Sequence, residues 1–443
     1  MSALPADPSS GSLSGPQASS LGRTFESHHG PIDLSPQNVM VPKGWGSLPM
    51  LLLGVLGLVC TGATLGAMFT AGDDAKALKH ALFAYHVGVM AIITFSLGAL
   101  GLTLIFRAVR AGWCVTVRRQ AENVAMLIPL GAVLMLPYVF FAGKLWKWLD
   151  PSYPGGYLLE AKRWWLSPEF LSARLVLYPI VWSLIAYGQY RLSTRQDREG
   201  NPTLTNKAQF WSQPGLLAFA LSCAFASFDL IMGLDYHWYS TMFGVYFFAG
   251  SILSGIALVI LITTVLRLGG RLKGLVTSEH NHDLGKLLIG FTIFWAYISF
   301  SQYFLIWYPN IPEATAWFVM RKQNGWENLF LILCFGHFIL PFLLLLFRGV
   351  KKSLPLLALL AAWQVAMHLI DLFWQIRPVA YMTYDSGNPV AAGKFSLAWV
   401  DFTGVLGPIL LFAAGVIFMI RRSPLIPTKD PRLGEALNHK NYV

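Results

Sequence analysis

A chain of 443 residues that is 55% hydrophobic and only 12% charged, with a mean hydropathy of +0.53, cannot clothe a water-facing surface, because a soluble domain carries about 25% charged residues. The net charge of +11 would suggest nucleic acid in a soluble protein. Here the basic residues lie in short loops between apolar runs, where they set orientation in a membrane, so no nucleic-acid partner is expected.

Residues 1–42 are rich in Ser, Gly and Pro. They lack a basic stretch followed by an apolar one, so no secretory signal is expected there. A disordered or partner-binding cytoplasmic tail is expected instead. Apolar runs follow near 45–71, 79–108, 122–143, 169–191, 213–234, 239–267, 284–308, 326–348, 354–376 and 397–420. Each is long enough to cross the hydrocarbon as a helix, and none shows the period-2 alternation of a membrane barrel. The predicted fold is all-α and integral to the membrane, with about ten spans over 43–422 and a cytoplasmic tail at 423–443. Pro129, Pro137, Pro179, Pro341 and Pro408 fall within spans, as membrane helices tolerate. No internal repeat is evident by eye.

Arg107, Arg110, Arg118 and Arg119 lie between spans two and three. Arg191, Arg195, Arg198 and Lys207 lie between four and five, and Arg267, Arg271, Lys273 and Lys286 flank six and seven. Arg348, Lys351 and Lys352 join eight and nine, and Arg421 and Arg422 follow ten. All fall on one side if the N-terminus is inside, so both termini are predicted to be cytoplasmic. The opposite loops carry Asp73, Asp74, Asp150, Glu160, Glu313 and Asp385, and segment 143–168 is long and aromatic.

Ionisable groups inside spans are costly and usually face a cavity or a partner. The candidates are His86, Asp229, His337, His368, Asp371 and Asp401, with Tyr138, Tyr297, Ser299, Ser301, Gln302 and Tyr303. Span direction puts His86, Asp229, Ser301, Gln302, Tyr303, His368 and Asp371 in the outer half. His368 and Asp371, three apart, share a helix face and can touch, which would make a proton acceptor. Tyr297 and Ser301, four apart, can line one stripe. Asp229, followed by Asp235 and His237 at an outer turn, persists as a carboxylate only with a partner. The expectation is one outer-half cavity holding Asp229, His368 and Asp371 as proton-transfer groups, lined by Tyr297, Ser301 and Gln302. His86, Tyr138, Ser299 and His337 are further lining candidates. Helix-packing hydrogen bonds are the plainer reading of His86 and His337, and interfacial water that of Asp401.

Cys60, Cys114, Cys223 and Cys334 are scattered and no CxxCH occurs, so no zinc, iron–sulfur or covalent haem site is expected. His86 with His368 or His337 could at most ligate one haem b, but no span carries two histidines at the spacing a stacked haem pair would need.

Four segments, SFDLIMGLDYHWYSTMFGVYFFAGS (227–251), GFTIFWAYISFSQYFLIWYPNIPE (290–313), GHFILPFLLLLFR (336–348) and HLIDLFWQIRP (368–378), resemble the F subunit of bacterial alternative complex III, in the polysulfide-reductase membrane-subunit (NrfD-like) family. The resemblance covers most of 45–420. It implies two four-helix bundles, spans two to five and six to nine, with spans one and ten peripheral, in the bacterial inner membrane. It implies a quinol:cytochrome c, or quinol:copper protein, oxidoreductase, with menaquinol or ubiquinol as substrate and no redox centre in this subunit. Its implied partners are an iron–sulfur protein, c-type cytochromes and a paralogous quinol-site membrane subunit, with lipids and a terminal oxidase as further associates. Quinol binding and proton conduction are the roles it implies here; a scaffold without a site and a secondary transporter are the alternatives. Reporter fusions after Arg119 and after Arg422 should both read as cytoplasmic, and a periplasmic signal at either would reverse the orientation.

Overall fold

Helix formation follows from the solvent. Without water in the hydrocarbon every backbone polar group must be satisfied within its own segment. The computed structural model describes residues 26–27, 30–151, 153, 156–385 and 388–441. In chain order its main helices are α1 (Ser47–Thr70), α2 (Ala75–Ala108), α3 (Val115–Ala125), α4 (Ile128–Met135), α5 (Tyr138–Leu145), α6 (Pro168–Glu199) and α7 (Pro202–Leu230). Then come α8 (Phe243–Leu268), α9 (Ser278–Trp307), α10 (Pro312–Met320), α11 (Trp326–Ile332), a π-helical turn at Leu333–Ile339, α12 (Leu340–Leu346), α13 (Leu354–Ile376) and α14 (Trp399–Ile420). Among the described residues nine helices are long and apolar enough to cross a membrane, and ten if α3–α5 count as one broken span. The chain is therefore a multi-pass, all-α membrane protein. An antiparallel hairpin pairs Met382–Asp385 with Asn388–Ala392.

The third span bends by 77° between α4 and α5. Pro129 and Pro137 stand at its two breaks, where the missing N–H interrupts the hydrogen-bond ladder.

Helix α2 lies at the centre. Every residue from Ala81 to Phe106 except Ile105 is buried, as an all-round apolar helix requires. Helices α8 and α14 pack on α2 through small residues, and α1 packs outside α14. A Cβ on Gly98 would lie 1.7 Å from the Ser251 carbonyl oxygen of α8, and one on Gly88 would lie 2.3 Å from the Gly404 carbonyl oxygen of α14. In lipid, where helices gain little from apolar burial against each other, such close backbone contact supplies much of the attraction.

The basic end is sealed by ions. Arg107 donates to Glu122 at 2.8 Å, Arg119 to Glu122 at 3.0 Å and to Asp197 at 2.7 Å, and Arg118 to Glu122 at 3.3 Å and to Asp430 at 2.6 Å. Three cations and three anions, all buried or nearly so, tie α2, α3 and α6 to the C-terminal segment. The sequence reading leaves Arg107, Arg118 and Arg119 as orienting loop charges; they are instead internal cross-links. Expected tails are likewise packed in part. Asn38 receives the Leu272 N–H at 3.1 Å and donates its amide to the Lys273 carbonyl at 2.9 Å, and Val39 receives the Leu425 N–H at 2.7 Å. Residues 1–25 of the expected tail lie outside the described residues.

The ends of α2 and α8 close alike. Val109 and Ala111 donate to Ile105 and Phe106, as Gly269 and Arg271 donate to Val265 and Leu266; Val115 donates to Gly112 as Leu275 does to Leu272. The side chains follow suit. Arg107 meets Glu122 at the head of the next span, and Arg267 meets Asn281 at 3.1 Å. This correspondence, invisible in the sequence, aligns His86 on α2 with Tyr246 on α8.

Gly98→Leu should abolish folding, since its obstruction is backbone that cannot repack. Gly62→Leu, with nothing within 4 Å of its Cβ position, should behave as wild type; monodispersity on size-exclusion chromatography distinguishes them.

Candidate functional site

Most of the polar candidates separate into two clusters that share no partner, and Asp401 stands apart from both. In the first, α7 presents Asp229 to α6. Arg174 grips its carboxylate with Nε on Oδ2 at 2.7 Å and Nη2 on Oδ1 at 2.8 Å. Tyr178 donates at 2.6 Å and Trp165 at 3.1 Å, while Trp146 donates to the Asp229 carbonyl at 2.8 Å. The Arg174 guanidinium lies 3.9 Å from the Trp165 ring and 4.3 Å from that of Phe170. The carboxylate is thus fully engaged by a buried bidentate ion pair. Nearby, His86 sits between Tyr138 and the Leu230 carbonyl, each at 2.7 Å. A carbonyl only accepts, so Nε2 carries the proton and Nδ1 receives the Tyr138 hydroxyl. Tyr138 and Trp146 border an apolar groove of about 700 Å³ between α4–α5 and α6. In the adjoining loop Lys162 donates to the Tyr236 carbonyl at 2.7 Å, and burial holds its ammonium below the usual lysine range.

The second cluster lies among α8, α9, the π-helical turn and α13. Asp371 is buried; Tyr246 donates to Oδ1 and Trp295 to Oδ2, the latter at 3.2 Å. Among the described residues no cation pairs with it. His368, expected to touch Asp371, turns instead to Thr94 on α2 at 2.9 Å. Thr94 spends its own hydrogen on the Ala91 carbonyl, so His368 Nε2 is the donor and Nδ1 is left as a buried acceptor without a protein partner. Gly250 makes room for that ring, since a Cβ there would come within 3.0 Å of it. His337 stacks on Trp295 with ring centroids 4.0 Å apart, and neither of its nitrogens has a partner. It stands on the π-helical turn, a distortion that recurs at functional sites. Gln364 donates to Thr292 at 2.8 Å and leaves its oxygen orphaned. Buried orphans are costly and call for an explanation in water or a ligand.

Tyr246, Trp295 and Trp374 form the inner wall of a pocket of about 350 Å³ that continues past Ser299 and Tyr303 to exposed Tyr297 and Phe300. Its size and aromatic lining suit a small-molecule ring. Of the expected lining, Tyr297, Ser299 and Tyr303 are present. Ser301 does not border the pocket, and Gln302 is turned to Ser240 at 3.3 Å. The single cavity expected to join Asp229 with His368 and Asp371 is therefore two sites. Asp401 is not left to interfacial water: His80 meets it at 2.6 Å, Arg377 at 2.8 Å and the Ala398 N–H at 2.8 Å.

Sequence reading passes over Arg174, Glu122, Tyr246 and Trp295. A search for every charged residue inside a run would have found Arg174. Nothing in the sequence marks Tyr246 or Trp295 among the many aromatics.

Among the described residues no group of three or more His, Cys, Asp or Glu could hold a metal ion. No protein-family model matches the chain, and no curated protein matches it in sequence.

Replacing Asp229 with Asn would strand the buried Arg174 cation. The expected loss is about 3–5 kcal/mol, seen as a lowered melting temperature or failed assembly. Unchanged thermal stability would remove the structural role.

Proposed function

We propose that this chain is the F-type membrane subunit of a bacterial alternative complex III, a quinol:cytochrome c or quinol:copper protein oxidoreductase of the inner membrane, and that its Asp371 cluster binds quinol and accepts its protons. The observation that carries the reading is a buried carboxylate without a cation partner, held by Tyr246 and Trp295 at the wall of an aromatic pocket. The resemblance of segments 227–251, 290–313, 336–348 and 368–378 supplies the complex. In this reading spans two to five and six to nine are its two four-helix bundles, and both termini are cytoplasmic.

A quinol ring between Trp295 and Tyr303 would place a hydroxyl near Tyr246. Oxidation of the quinol to the quinone releases two protons and two electrons. The first proton passes through the Tyr246 hydroxyl to Asp371, because a base must stand within hydrogen-bond reach of the proton it takes. His368 Nδ1 and His337 offer a second buried acceptor group beyond Trp295. This chain's side chains take no electrons, so both leave to the iron–sulfur and c-haem partners. Asp229 is not assigned to the proton path, since its carboxylate is saturated by Arg174, Tyr178 and Trp165.

In the assembled complex, Asp371→Asn and Tyr246→Phe should lower quinol oxidation or proton release by roughly 10²-fold, the low end for a lost acid–base group, with subunit content unchanged. Normal turnover and proton stoichiometry in both variants would favour the scaffold reading.

A further inference from the structure

The basic end carries a second, polar pocket that the quinol reading does not use. It measures about 430 Å³ and lies between the C-terminal part of α6 from Tyr187 to Arg198, the α3–α4 break and the end of α14 with the segment after it. Arg198 and Arg422 stand on its wall. Neither guanidinium has a hydrogen-bond or ion-pair partner among the described residues; Arg422 only lies over the Phe418 ring at 5.1 Å. The one carboxylate in the wall, Asp197, is already occupied by Arg119 at 2.7 Å and by the Thr428 N–H at 2.9 Å. The pocket is therefore left cationic. Ser423 also lines it, is 93% buried by its 7% exposure, and its hydroxyl has no partner.

What lies beneath the pocket decides the class of ligand. Met126 and Tyr187 form its floor. One turn further along the same helices, Pro129 and Leu184 begin the apolar groove of about 700 Å³ between α4–α5 and α6. On α6 the apolar lining runs from Leu184 to Leu171, a length of roughly 20 Å at the helical rise. That exceeds the ~15 Å hydrocarbon depth of one leaflet. A cationic polar head site thus stands directly over an apolar lane of leaflet length.

We propose that this composite site binds one anionic phospholipid, its phosphodiester between Arg198 and Arg422 with the Ser423 hydroxyl as a further donor, and an acyl chain laid in the groove beside Ile180. Charge complementarity selects the anionic headgroup, and the groove selects a lipid over a free phosphate. The bound lipid would fill the concavity left by the bend of the third span, and so brace α5 against α6 on the side away from the Asp371 pocket.

The test uses the full chain in phosphatidylcholine nanodiscs, titrated with phosphatidylglycerol and read by native mass spectrometry and thermal unfolding. Wild type should retain phosphatidylglycerol over phosphatidylcholine and unfold at a higher temperature with it; millimolar inorganic phosphate should do neither. Each lost arginine should weaken retention roughly 5-fold, and Arg198→Gln with Arg422→Gln roughly 25-fold, from the worth of one basic residue at a lipid surface. Ile180→Trp, which blocks the groove and keeps both arginines, should also weaken retention. If the double variant does not fold, Arg422→Gln and Ile180→Trp decide. Equal retention of the two lipids, unchanged retention in these variants, or a matching response to inorganic phosphate would overturn the proposal.

Discussion

Helix α2 has no solvent. From Ala81 to Phe106 it is wrapped by other helices, so its polar side chains are met chiefly by protein groups, and its neighbours must come close enough to leave no void. Both demands shape what surrounds it. Gly88 and Gly98 let α14 and α8 meet its backbone. His86 and Thr94 recruit Tyr138, the Leu230 carbonyl and His368 from other helices. At its end Arg107 draws in Glu122, which gathers Arg118 and Arg119 and through them Asp197 and Asp430. The positions of α3, α6 and the C-terminal segment follow from neutralising one buried arginine at the foot of this helix.

The same rule separates the two acidic residues that look alike in sequence. Asp229 and Asp371 are each followed by leucine near the end of an apolar run. Asp229 meets a guanidinium, a phenol and an indole, and its oxygens are saturated. Asp371 meets a phenol and an indole but no cation. A carboxylate paired with a fixed cation has its charge met by the protein, whereas one without a cation is held by hydrogen bonds alone. The difference is a single residue on another helix, Arg174, and it turns one site into a clamp and leaves the other available for chemistry.

The α2 and α8 ends match in their hydrogen bonds, and each is followed by a cavity between the next two spans, yet the cavities have diverged. The one near α5 and α6 is long and apolar and is bordered by Tyr138, whose hydroxyl meets His86. The one beside α9 is lined by rings and reaches Asp371 through Tyr246 and Trp295. Similar backbone frames can carry different ligands because function resides in the few side chains that enter the cavity.

Composition and apolar run length by themselves determined that the chain is helical and crosses a membrane many times, since both are properties of local segments against a fixed solvent. Pro137, expected to be tolerated within a continuous third span, stands instead at its 77° bend. Span-internal polarity pointed at His86, Asp229, His337, His368 and Asp371, because a polar group in hydrocarbon is conspicuous whatever it touches. Partnership was decided only by tertiary structure. The i,i+3 spacing of His368 and Asp371 allowed a contact that helix rotation spends on Thr94 and Tyr246 instead. Arg107, Arg118 and Arg119 read as solvated loop charges because their partners are supplied by Glu122, Asp197 and Asp430, and Asp197 and Asp430 lie far along the chain. Spacing along a helix fixes which face a side chain shares; which helix lies against that face is set by packing among all of them.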